Sequence, residues 1–392
     1  MSPTVTLFGS NSGNNLGDAA ILSSILWNYR NKGFKFLVPT PNPSFVNLYR
    51  HLGNVRAVDI HPLRTLSVRF LGLTTINALR NSNYSLICDG ILFGKRLFNP
   101  SFNFLSNLYI LLPVLKALKV RLVCFACGLG PFDSKLSRKM ARAVLEYCDL
   151  LLLRDDESIR LAIDLLGNEK QIRIERVGDC AFINPISPEH VAEKIFEIYG
   201  ISGHTLVGVN ITSYLGSWVG ARTRKEEFFS KLEKTLIDVK KAFDLQYVFF
   251  STHPMDNKAN NEVAVRTSSI FIPAGKFLSH DIMSVMAKCS AFIGMRFHSL
   301  ILAAAAGVPV LGIRYAPKVG SLLKMLGSEN LLVEIDNIQD MGYPFRFLLN
   351  NLSSIKDSQQ VAVNREKQLA LKAFEIFEQY AQSEHLGEFS LN

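Results

Sequence analysis

Residues 291–313, A-F-I-G-M-R-F-H-S-L-I-L-A-A-A-A-G-V-P-V-L-G-I, decide the predicted fold class of this chain. Two short apolar runs, at 291–293 and 308–313, flank a run of small and apolar residues at 300–306. The apolar runs predict buried strands, and the residues between them predict a helix. A strand, a helix and a second strand in this order are typical of parallel strands joined by a crossover helix. The predicted fold class is α/β.

The same alternation of strand and helix patterns extends through most of the 392 residues. In the first half, strands are predicted at residues 5–8, 35–39, 85–88, 121–126, 150–153 and 173–177. In the second half, strands are predicted at residues 205–210, 246–251, 270–273, 291–293, 308–313 and 331–335. Each half of the chain therefore predicts a parallel sheet with helices on its faces.

Two prolines in residues 184–188, N-P-I-S-P, mark the predicted domain boundary. They lie outside any periodic pattern, and a new helical pattern begins at Glu189. The predicted domains are residues 1–186 and 187–358. A helix predicted at 359–381 begins a tail, residues 359–392, that packs back across the domains. The two domains are expected to face each other across a ligand cleft at the carboxyl ends of their strands.

The charge balance favours anionic partners. The chain has 43 Lys and Arg against 34 Asp and Glu, which leaves a formal net charge of +9. Nucleic acid is excluded as a partner because the sequence has no helix-turn-helix signature, RNA-binding aromatic motif or zinc-finger spacing. A small anionic substrate or a membrane surface remains as the expected partner.

The six cysteines predict a protein of the reducing cytosol, because most of them lie in apolar runs where a free thiol packs like a small hydrophobe. Cys124 and Cys127 form a single C-x-x-C pattern inside a predicted strand. A three-residue offset in a strand points two side chains to opposite faces. We therefore interpret them as buried structural thiols rather than as a metal or redox site.

No segment of the sequence predicts export or a membrane span. The first eight residues lack the basic and apolar regions of a signal peptide. The most apolar stretch, residues 105–127, is interrupted by Pro113, Lys116, Lys119 and Arg121. A cytosolic protein is expected, whose membrane association, where it occurs, is peripheral at the inner membrane face.

Two glycine-rich turns follow predicted strands in the first half. The first includes Asn15, Gly17 and Asp18, and the second includes Gly130. Glycine lets a backbone approach a ligand closely, and a helix start offers unpaired N–H groups. The first turn has an equally good structural interpretation, in which Asp18 caps the helix. It is neither a Walker loop nor a dinucleotide fingerprint.

Four side chains at predicted strand ends suit a polyanionic ligand. Arg154 ends the strand at 150–153, and its alternative is a structural pairing with a nearby carboxylate. Arg296 and His298 lie between a strand and a helix start. A cation in apolar surroundings there is costly unless it binds an anion. Lys318 follows the next strand, and its alternative is a solvated helix start. We predict that the three cations bind an anion with His298 beside it.

Six segments together resemble the polysaccharide pyruvyl transferase family, whose members form ketals on cell-surface sugars with phosphoenolpyruvate. They are G-N-N-L-G-D-A-A-I at 13–21, C-G-L-G-P-F at 127–132, L-R-D-D-E-S at 153–158, V-G-D-C-A-F at 177–182, M-R-F-H-S-L-I at 295–301 and G-V-P-V-L-G-I-R-Y-A-P-K-V at 307–319. The sequence departs from the family at Cys88, Asp89 and Gly90, where a run of glycines is more usual, and at Phe297, where Leu is common.

The resemblance implies two Rossmann-like domains similar to the GT-B glycosyltransferase fold, with the acceptor on the first domain and phosphoenolpyruvate on the second. It implies no metal and no cofactor besides phosphoenolpyruvate as co-substrate. The matching donor-site residues are Arg154, Arg296, His298 and Lys318. Asn15, Gly17, Gly130 and Ser158 are further predicted substrate contacts. The expected product is a pyruvyl ketal on an exopolysaccharide or cell-wall sugar, free or lipid-linked.

In this interpretation His298 is the acid that protonates the methylene carbon of phosphoenolpyruvate, and the cations hold its carboxylate and phosphate. Asp18 is the predicted base, with Asp89 and Asp179 as alternatives. Two other functions remain open. One is a glycosyltransferase of the same shape that uses a nucleotide sugar, and the other is a non-catalytic anion or glycan sensor.

Overall fold

The computed structural model describes residues 3–61, 71–99, 103–167, 172–202, 205–213 and 225–386. The chain forms two compact units. Unit 1 comprises Met1–Gly13, Ile21–Ile183 and Glu366–Asn392, and unit 2 comprises Asn14–Ala20 and Asn184–Arg365. The chain therefore enters the main part of unit 2 at Asn184, beside the boundary predicted from the two prolines.

Unit 1 contains a seven-stranded parallel sheet with the order β3-β2-β1-β4-β5-β6-β7. Its strands are β1 Thr4–Phe8, β2 Lys35–Thr40, β3 Val55–Asp59, β4 Tyr84–Ile87, β5 Arg121–Cys127, β6 Leu150–Leu153 and β7 Arg173–Arg176. The helices of this part of the chain are α1 Leu16–Tyr29, α2 Pro43–Asn47, α3 Leu73–Arg80, α4 Phe104–Ala117, α5 Lys135–Tyr147 and α6 Asp156–Leu166.

Unit 2 contains a six-stranded parallel sheet with the order β10-β9-β8-β11-β12-β13. Its strands are β8 Thr205–Asn210, β9 Leu245–Phe250, β10 Ile270–Ile272, β11 Ala291–Gly294, β12 Val310–Arg314 and β13 Leu332–Glu334. The remaining helices are α7 Glu189–Tyr199, α8 Lys225–Phe243, α9 Asn257–Arg266, α10 Ser279–Met286, α11 Phe297–Ala305, α12 Pro317–Met325, α13 Gly342–Asn350 and α14 Leu352–Leu386.

Parallel strands need crossover connections, and the helices in these connections cover the faces of the sheet. β4 and β6 are buried at every residue, as expected for central strands of a parallel sheet. The connections reverse direction between β1 and β4 in unit 1 and between β8 and β11 in unit 2. In open α/β sheets, ligands bind at the carboxyl ends of the strands beside such a reversal. Each unit therefore has one place at the carboxyl edge of its sheet where a ligand is expected to bind.

The predicted fold class is confirmed, because both halves are parallel-sheet α/β units. The ligand cleft between them stays a prediction. The structure adds strand β3, which the sequence did not indicate. It also begins α11 at Phe297 and α14 at Leu352, earlier in the chain than predicted. Among the residues that the structure describes, every helix is too short or too polar to span a lipid bilayer.

The prediction that Cys124 and Cys127 point to opposite faces was wrong. The β5–β6 register shifts between these two residues, and Ala126 between them has a φ of +50°. This irregularity breaks the strict alternation of side chains. Both thiols lie in one hydrophobic cluster with Cys148, whose Sγ is 3.8 Å from Sγ of Cys124. All six cysteines are buried free thiols.

Candidate functional site

Arg296 is held at the carboxyl edge of the unit 2 sheet by a buried carboxylate. Its Nε lies 2.6 Å from Oδ2 of Asp256, a residue with no exposed surface. Oδ1 of Asp256 accepts hydrogen bonds from the hydroxyl of Thr212 and the N–H of Ser213. Among the described residues, the buried Nη2 of Arg296 has no hydrogen-bond acceptor. A buried guanidinium nitrogen in this state is stabilised by an anionic ligand.

Asn210 fixes the backbone of the same segment at the reversal between β8 and β11. Its Oδ1 accepts hydrogen bonds from the N–H of Arg296 at 3.1 Å and the hydroxyl of Ser299 at 2.9 Å. Its Nδ2 donates to the carbonyl of Phe250 at 2.7 Å. A fully buried amide that bridges three strand ends keeps this edge in one conformation.

His298 lies in the first turn of α11, two residues after Arg296. Its ring packs against Gly17, where the atoms of an added methyl group would overlap the ring. Residues Asn14–Ala20 belong to unit 2, and the N–H of Leu16 donates to the carbonyl of Thr252 at 2.9 Å. Gly17 therefore makes room for the ring, which is a packing role that the sequence did not indicate.

Lys318 lies beside the same segment, in the first turn of α12. Its Nζ is 5.5 Å from the centroid of the Phe297 ring, and that ring lies edge-on to His298 with 5.3 Å between centroids. Lys318 is exposed. Unit 2 thus brings together three of the four predicted donor-site residues, Arg296, His298 and Lys318.

A second histidine, His253, stands at this edge and was not singled out from the sequence. It follows β9, and its Nδ1 accepts the N–H of Met255 at 3.1 Å. This hydrogen bond leaves the proton of the neutral ring on Nε2. Burial lowers the pKa of His253, the charge of Arg296 lowers it further, and Asp256 partly opposes both. His253 is therefore a neutral hydrogen-bond donor at neutral pH.

Arg154, the fourth predicted donor-site residue, lies in unit 1. Its Nη1 donates to Oδ2 of Asp179 at 2.8 Å, and both side chains are almost fully buried. Burial lowers the pKa of Arg154, but the charges of Asp179 and Asp155 outweigh it and raise the pKa above its usual value. The sequence left a structural pairing open for Arg154, and the structure contains one. Its role as a donor-site ligand stays a prediction.

The predicted contacts Gly130 and Ser158 hold a unit 1 loop in place. The hydroxyl of Ser158 accepts the N–H of Leu129 at 2.8 Å, and the N–H of Gly130 donates to the carbonyl of Leu92 at 2.8 Å. Gly130 has a φ of +78°, which favours glycine. At Gly128, an added Cβ would lie 2.7 Å from Nε of Arg154. This loop therefore surrounds the Arg154 guanidinium closely.

Asp89 explains one departure from the family pattern. It follows β4 with a φ of +59°, a left-handed conformation that glycine adopts without strain. Aspartate tolerates this conformation better than most residues. Its buried Oδ2 accepts the N–H of Ser10 at 2.9 Å. The carboxylate therefore joins the ends of β1 and β4, the strands at the unit 1 reversal.

Asn15, rather than Asp18, supplies the cap of α1. Oδ1 of Asn15 accepts the N–H of Gly17 at 3.0 Å, and its carbonyl accepts the N–H of Ala19. An oxygen that accepts from the second helical residue is a typical N-cap contact. Asp18 is half-buried in the first turn of the helix. The domain boundaries predicted from the sequence placed Asp18 in the first domain, opposite to the domain of His298. In the structure, Asn14–Ala20 belongs to unit 2, which also contains His298.

Within the described ranges of the chain, no group of three or more His, Cys, Asp or Glu side chains is arranged to hold a metal ion.

The comparison with protein families decides the family of this chain. The model of the polysaccharide pyruvyl transferase family matches residues 15–317. This range contains Arg154, Arg296 and His298, and it ends one residue before Lys318. The chain belongs to the polysaccharide pyruvyl transferase family. A comparison with curated protein sequences gave no match.

Solved structures similar to this family member share its fold. Alr3699/HepE from Anabaena, in complex with UDP and glucose, has a TM-score of 0.63 at 13% identity, and the match covers 98% of this chain and 100% of that one. MnaA from S. aureus with UDP has a TM-score of 0.61 at 12% identity, with 99% and 98% covered. A glycosyltransferase from Rickettsia africae has a TM-score of 0.59 at 12% identity, with 96% and 98% covered. At this identity the likeness concerns the fold alone, which is GT-B-like as predicted.

Proposed function

We propose that this family member transfers the pyruvyl group of phosphoenolpyruvate to a sugar of a bacterial exopolysaccharide or cell-wall glycan. The product is a pyruvyl ketal, and phosphate is released. The family match supports a transferase that acts on a polysaccharide. The donor and the chemistry rest on the unit 2 site described above.

The observation that carries the proposal is the state of Arg296. Asp256 holds Nε at 2.6 Å, so the plane of the guanidinium is fixed, while Nη2 is buried without an acceptor among the described residues. A guanidinium fixed on one side presents its other donors in a geometry that suits a carboxylate or phosphate. Phosphoenolpyruvate carries both groups.

The neighbours of Arg296 supply the rest of the anion site. Lys318 adds a second cation that the adjacent Phe297 ring helps to position. The first turn of α11 adds N–H groups and positive helix potential. His253 adds a donor without a charge. Because these groups are fixed before the ligand arrives, they stabilise the departing phosphate without reorganisation.

His298 is the proposed acid. It donates a proton to the methylene carbon of phosphoenolpyruvate, which becomes a methyl group, and C2 becomes electrophilic. A sugar hydroxyl forms the first new C–O bond at C2. A second hydroxyl of the sugar forms the other, and the bond from C2 to the phosphate oxygen breaks. Of the two hydroxyl protons, one restores His298 and the other passes through Asp18 to the released phosphate, so the reaction balances.

Asp18 is the proposed base that accepts a proton from the acceptor hydroxyl. Two alternatives considered from the sequence have structural duties in unit 1. Asp179 accepts a hydrogen bond from Arg154, and Asp89 accepts the N–H of Ser10. A carboxylate stabilised by a buried cation or donor is a weaker base. Asp18 follows Gly17, the residue that packs against the His298 ring, and both belong to unit 2.

Two further parts of the proposal concern the absence of a metal and the location of the enzyme. We propose that the enzyme uses no metal, because Arg296, Lys318 and the helix start offset the charge of the donor. We propose a cytosolic enzyme that acts on a free or lipid-linked acceptor, with peripheral contact to the inner membrane face. Turnover in the presence of EDTA should equal turnover without it, and a loss restored only by a divalent cation would contradict the metal-free reaction.

A glycosyltransferase that uses a nucleotide sugar is the alternative, since similar solved structures contain UDP. Thermal unfolding with phosphoenolpyruvate, UDP-glucose or UDP-N-acetylglucosamine separates the two, because only the true donor stabilises the folded protein. We expect the midpoint to rise with phosphoenolpyruvate alone. A rise with a UDP-sugar and none with phosphoenolpyruvate would favour the glycosyltransferase.

A further inference from the structure

Unit 1 has a basic cavity at the amino-terminal edge of its sheet. The cavity has a volume of about 340 Å³ and is lined by Lys116, Lys119, Val120, Arg121, Tyr147 and Asp149. Arg121 is the first residue of β5, so the cavity lies at the end of that strand opposite to the loop at Gly128. The cavity is shallow and open to solvent, so a headgroup reaches it from the surface. The site proposed above does not use it.

The lining carries three cations against one carboxylate. Oδ2 of Asp149 accepts the N–H of Leu122 at 3.0 Å, and the hydroxyl of Tyr147 donates to the carbonyl of Val120 at 2.6 Å. These contacts hold the walls of the cavity. Lys116 and Lys119 are exposed to solvent. An anion that enters the cavity therefore meets an excess of positive charge.

Lys119 stands where helices usually place glycine. It follows the end of α4 with a φ of +53°, and its N–H donates to the carbonyl of Lys116. The N–H of Val120 then donates to the carbonyl of Leu115. Such a left-handed helix end favours glycine, and another residue there is strained. Backbone strain of this kind often accompanies a functional side chain.

The outer face of α4 is apolar up to this cavity. Ile110, Pro113 and Ala117 are spaced by three and four residues, so they lie along one stripe of the helix, and all three are exposed. Ile110 is 54% exposed. Lys116 lies three residues after Pro113 and extends the stripe to the cavity. A helix of a water-facing surface normally carries charged residues on this side.

We propose that this surface, the α4 surface, docks on a membrane that contains anionic phospholipid. The cavity receives a lipid phosphate, and the stripe of Ile110, Pro113 and Ala117 enters the interface between headgroups and acyl chains. Anionic headgroups complement the three cations, and acyl chains complement the stripe. A free phosphate would use the cavity but not the stripe. This assignment rests on the proposed function, whose peripheral membrane contact it locates, and docking would bring the enzyme to a lipid-linked acceptor.

Sedimentation with vesicles tests the proposal without donor or acceptor. We expect the full chain to bind vesicles of phosphatidylglycerol and phosphatidylcholine, to bind less as salt rises, and not to bind phosphatidylcholine alone. Each basic side chain at such a surface contributes roughly fivefold to partitioning. The double variant Lys116→Gln/Lys119→Gln should therefore bind about 25-fold more weakly. Ile110→Ser should also weaken binding.

Matched controls remove the same number of charges, or a similar apolar area, from helices other than α4. Lys234→Gln/Lys241→Gln removes two exposed lysines of α8, and Ile198→Ser replaces an exposed isoleucine of α7. Both controls should bind vesicles like the parent. An equal loss of vesicle binding in variant and control would overturn the proposal. A dimer of the parent protein that Ile110→Ser dissociates would also overturn it, because the α4 surface would then join two copies of the chain.

A free-anion site would also overturn the proposal. In that case calorimetry would detect inorganic pyrophosphate binding that Lys116→Gln/Lys119→Gln abolishes, while the parent protein would leave anionic vesicles unbound. Failure of vesicle binding leaves turnover of phosphoenolpyruvate on a soluble sugar intact. Failure of that turnover leaves vesicle binding intact, so the two proposals are tested separately.

Discussion

The carboxylate of Asp256, which has no exposed surface, lies 2.6 Å from Nε of Arg296 at the reversal of the unit 2 sheet. Asp256 follows β9 and Arg296 follows β11, so their contact joins two strand ends that flank β8. The pair fixes the Arg296 guanidinium beside His298. Its Nη2 has no acceptor among the described residues. We therefore regard it as the structural basis of the proposed donor site.

Asp256→Asn should reduce both stability and activity. Removing one partner of a buried pair leaves Arg296 without its counter-charge and without a fixed plane, which costs about 3 kcal/mol of unfolding free energy. Misplacement of Arg296 should lower kcat/KM for phosphoenolpyruvate at least tenfold. Urea unfolding and steady-state kinetics measure the two effects. The control Thr212→Val removes one neutral hydrogen bond to the same carboxylate and should cost about 1 kcal/mol. Unchanged kcat/KM in Asp256→Asn would contradict the role of the pair.

His298→Ala should lower kcat while donor binding persists. Loss of a general acid typically costs roughly 10²- to 10⁴-fold in rate. Phosphoenolpyruvate should still raise the unfolding midpoint, since Arg296 and Lys318 remain. Phe297→Leu introduces the residue common in the family at the neighbouring position and should keep kcat within a few-fold. Substantial turnover by His298→Ala would remove His298 from the acid role.

Gly17→Ala should displace the His298 ring, because an added methyl group overlaps ring atoms. Overpacking of this kind typically costs roughly 1–3 kcal/mol. We expect lower kcat together with lower stability, measured by kinetics and urea unfolding. Gly342→Ala is the matched control, since its new methyl meets Thr235 only at 3.7 Å, an ordinary contact. A fully active Gly17→Ala would show that the ring position is not needed.

His253 should make stability depend on pH between neutral and mildly acidic conditions. Burial and the charge of Arg296 lower its pKa, so the unfolded chain binds the proton more readily than the folded one. The contribution of the neutral His253 ring to the unfolding free energy is complete above the unfolded pKa of about 6.5. It is lost as pH falls through that value towards the folded pKa. From pH 7.5 to 5.5, His253→Gln should lose less unfolding free energy than the parent. Equal losses would contradict this assignment.

Arg154 and Asp179 should behave as a coupled pair in unit 1. Each single variant, Arg154→Gln or Asp179→Asn, leaves one buried charge uncompensated and should cost about 3 kcal/mol or more. The double variant removes both charges and should cost clearly less than the sum, with a coupling energy of roughly 1–3 kcal/mol. Urea unfolding of the four proteins measures this cycle. Additive losses would show that the pairing does not stabilise the fold.

The fold was predictable because its strands are apolar runs that helices cover on both faces. The run of leucines in β6 illustrates this, since it is buried throughout. β3 was missed because Val55–Asp59 mixes Arg and Asp with short apolar residues at the edge of the sheet, where most of it is only half-buried. The irregularity at Ala126 was also unpredictable, because alternation in a strand is assumed until a residue with positive φ breaks it.

The site was predictable where a family motif stands beside a strand end, as for Arg296, His298 and Lys318. Asp256 and His253 were missed because S-T-H-P-M-D contains neither a glycine turn nor a basic cluster. The contact of Asp256 with Arg296 arises from the strand order β9-β8-β11, which joins residues far apart in sequence. A structural pairing of Arg154 was left open from the sequence, but its partner was not identified, since Asp179 follows the neighbouring strand β7.

The mass of a sugar acceptor after incubation with phosphoenolpyruvate tests the central proposal most directly. A panel of free and lipid-linked sugars is incubated with the parent, His298→Ala and Arg296→Gln proteins, and each product is analysed by mass spectrometry. The proposal predicts one acceptor that gains a single pyruvyl ketal with equimolar phosphate release, by the parent protein alone. A glycosyl mass gain from a UDP-sugar by the same protein, with no pyruvylated product from phosphoenolpyruvate, would contradict it.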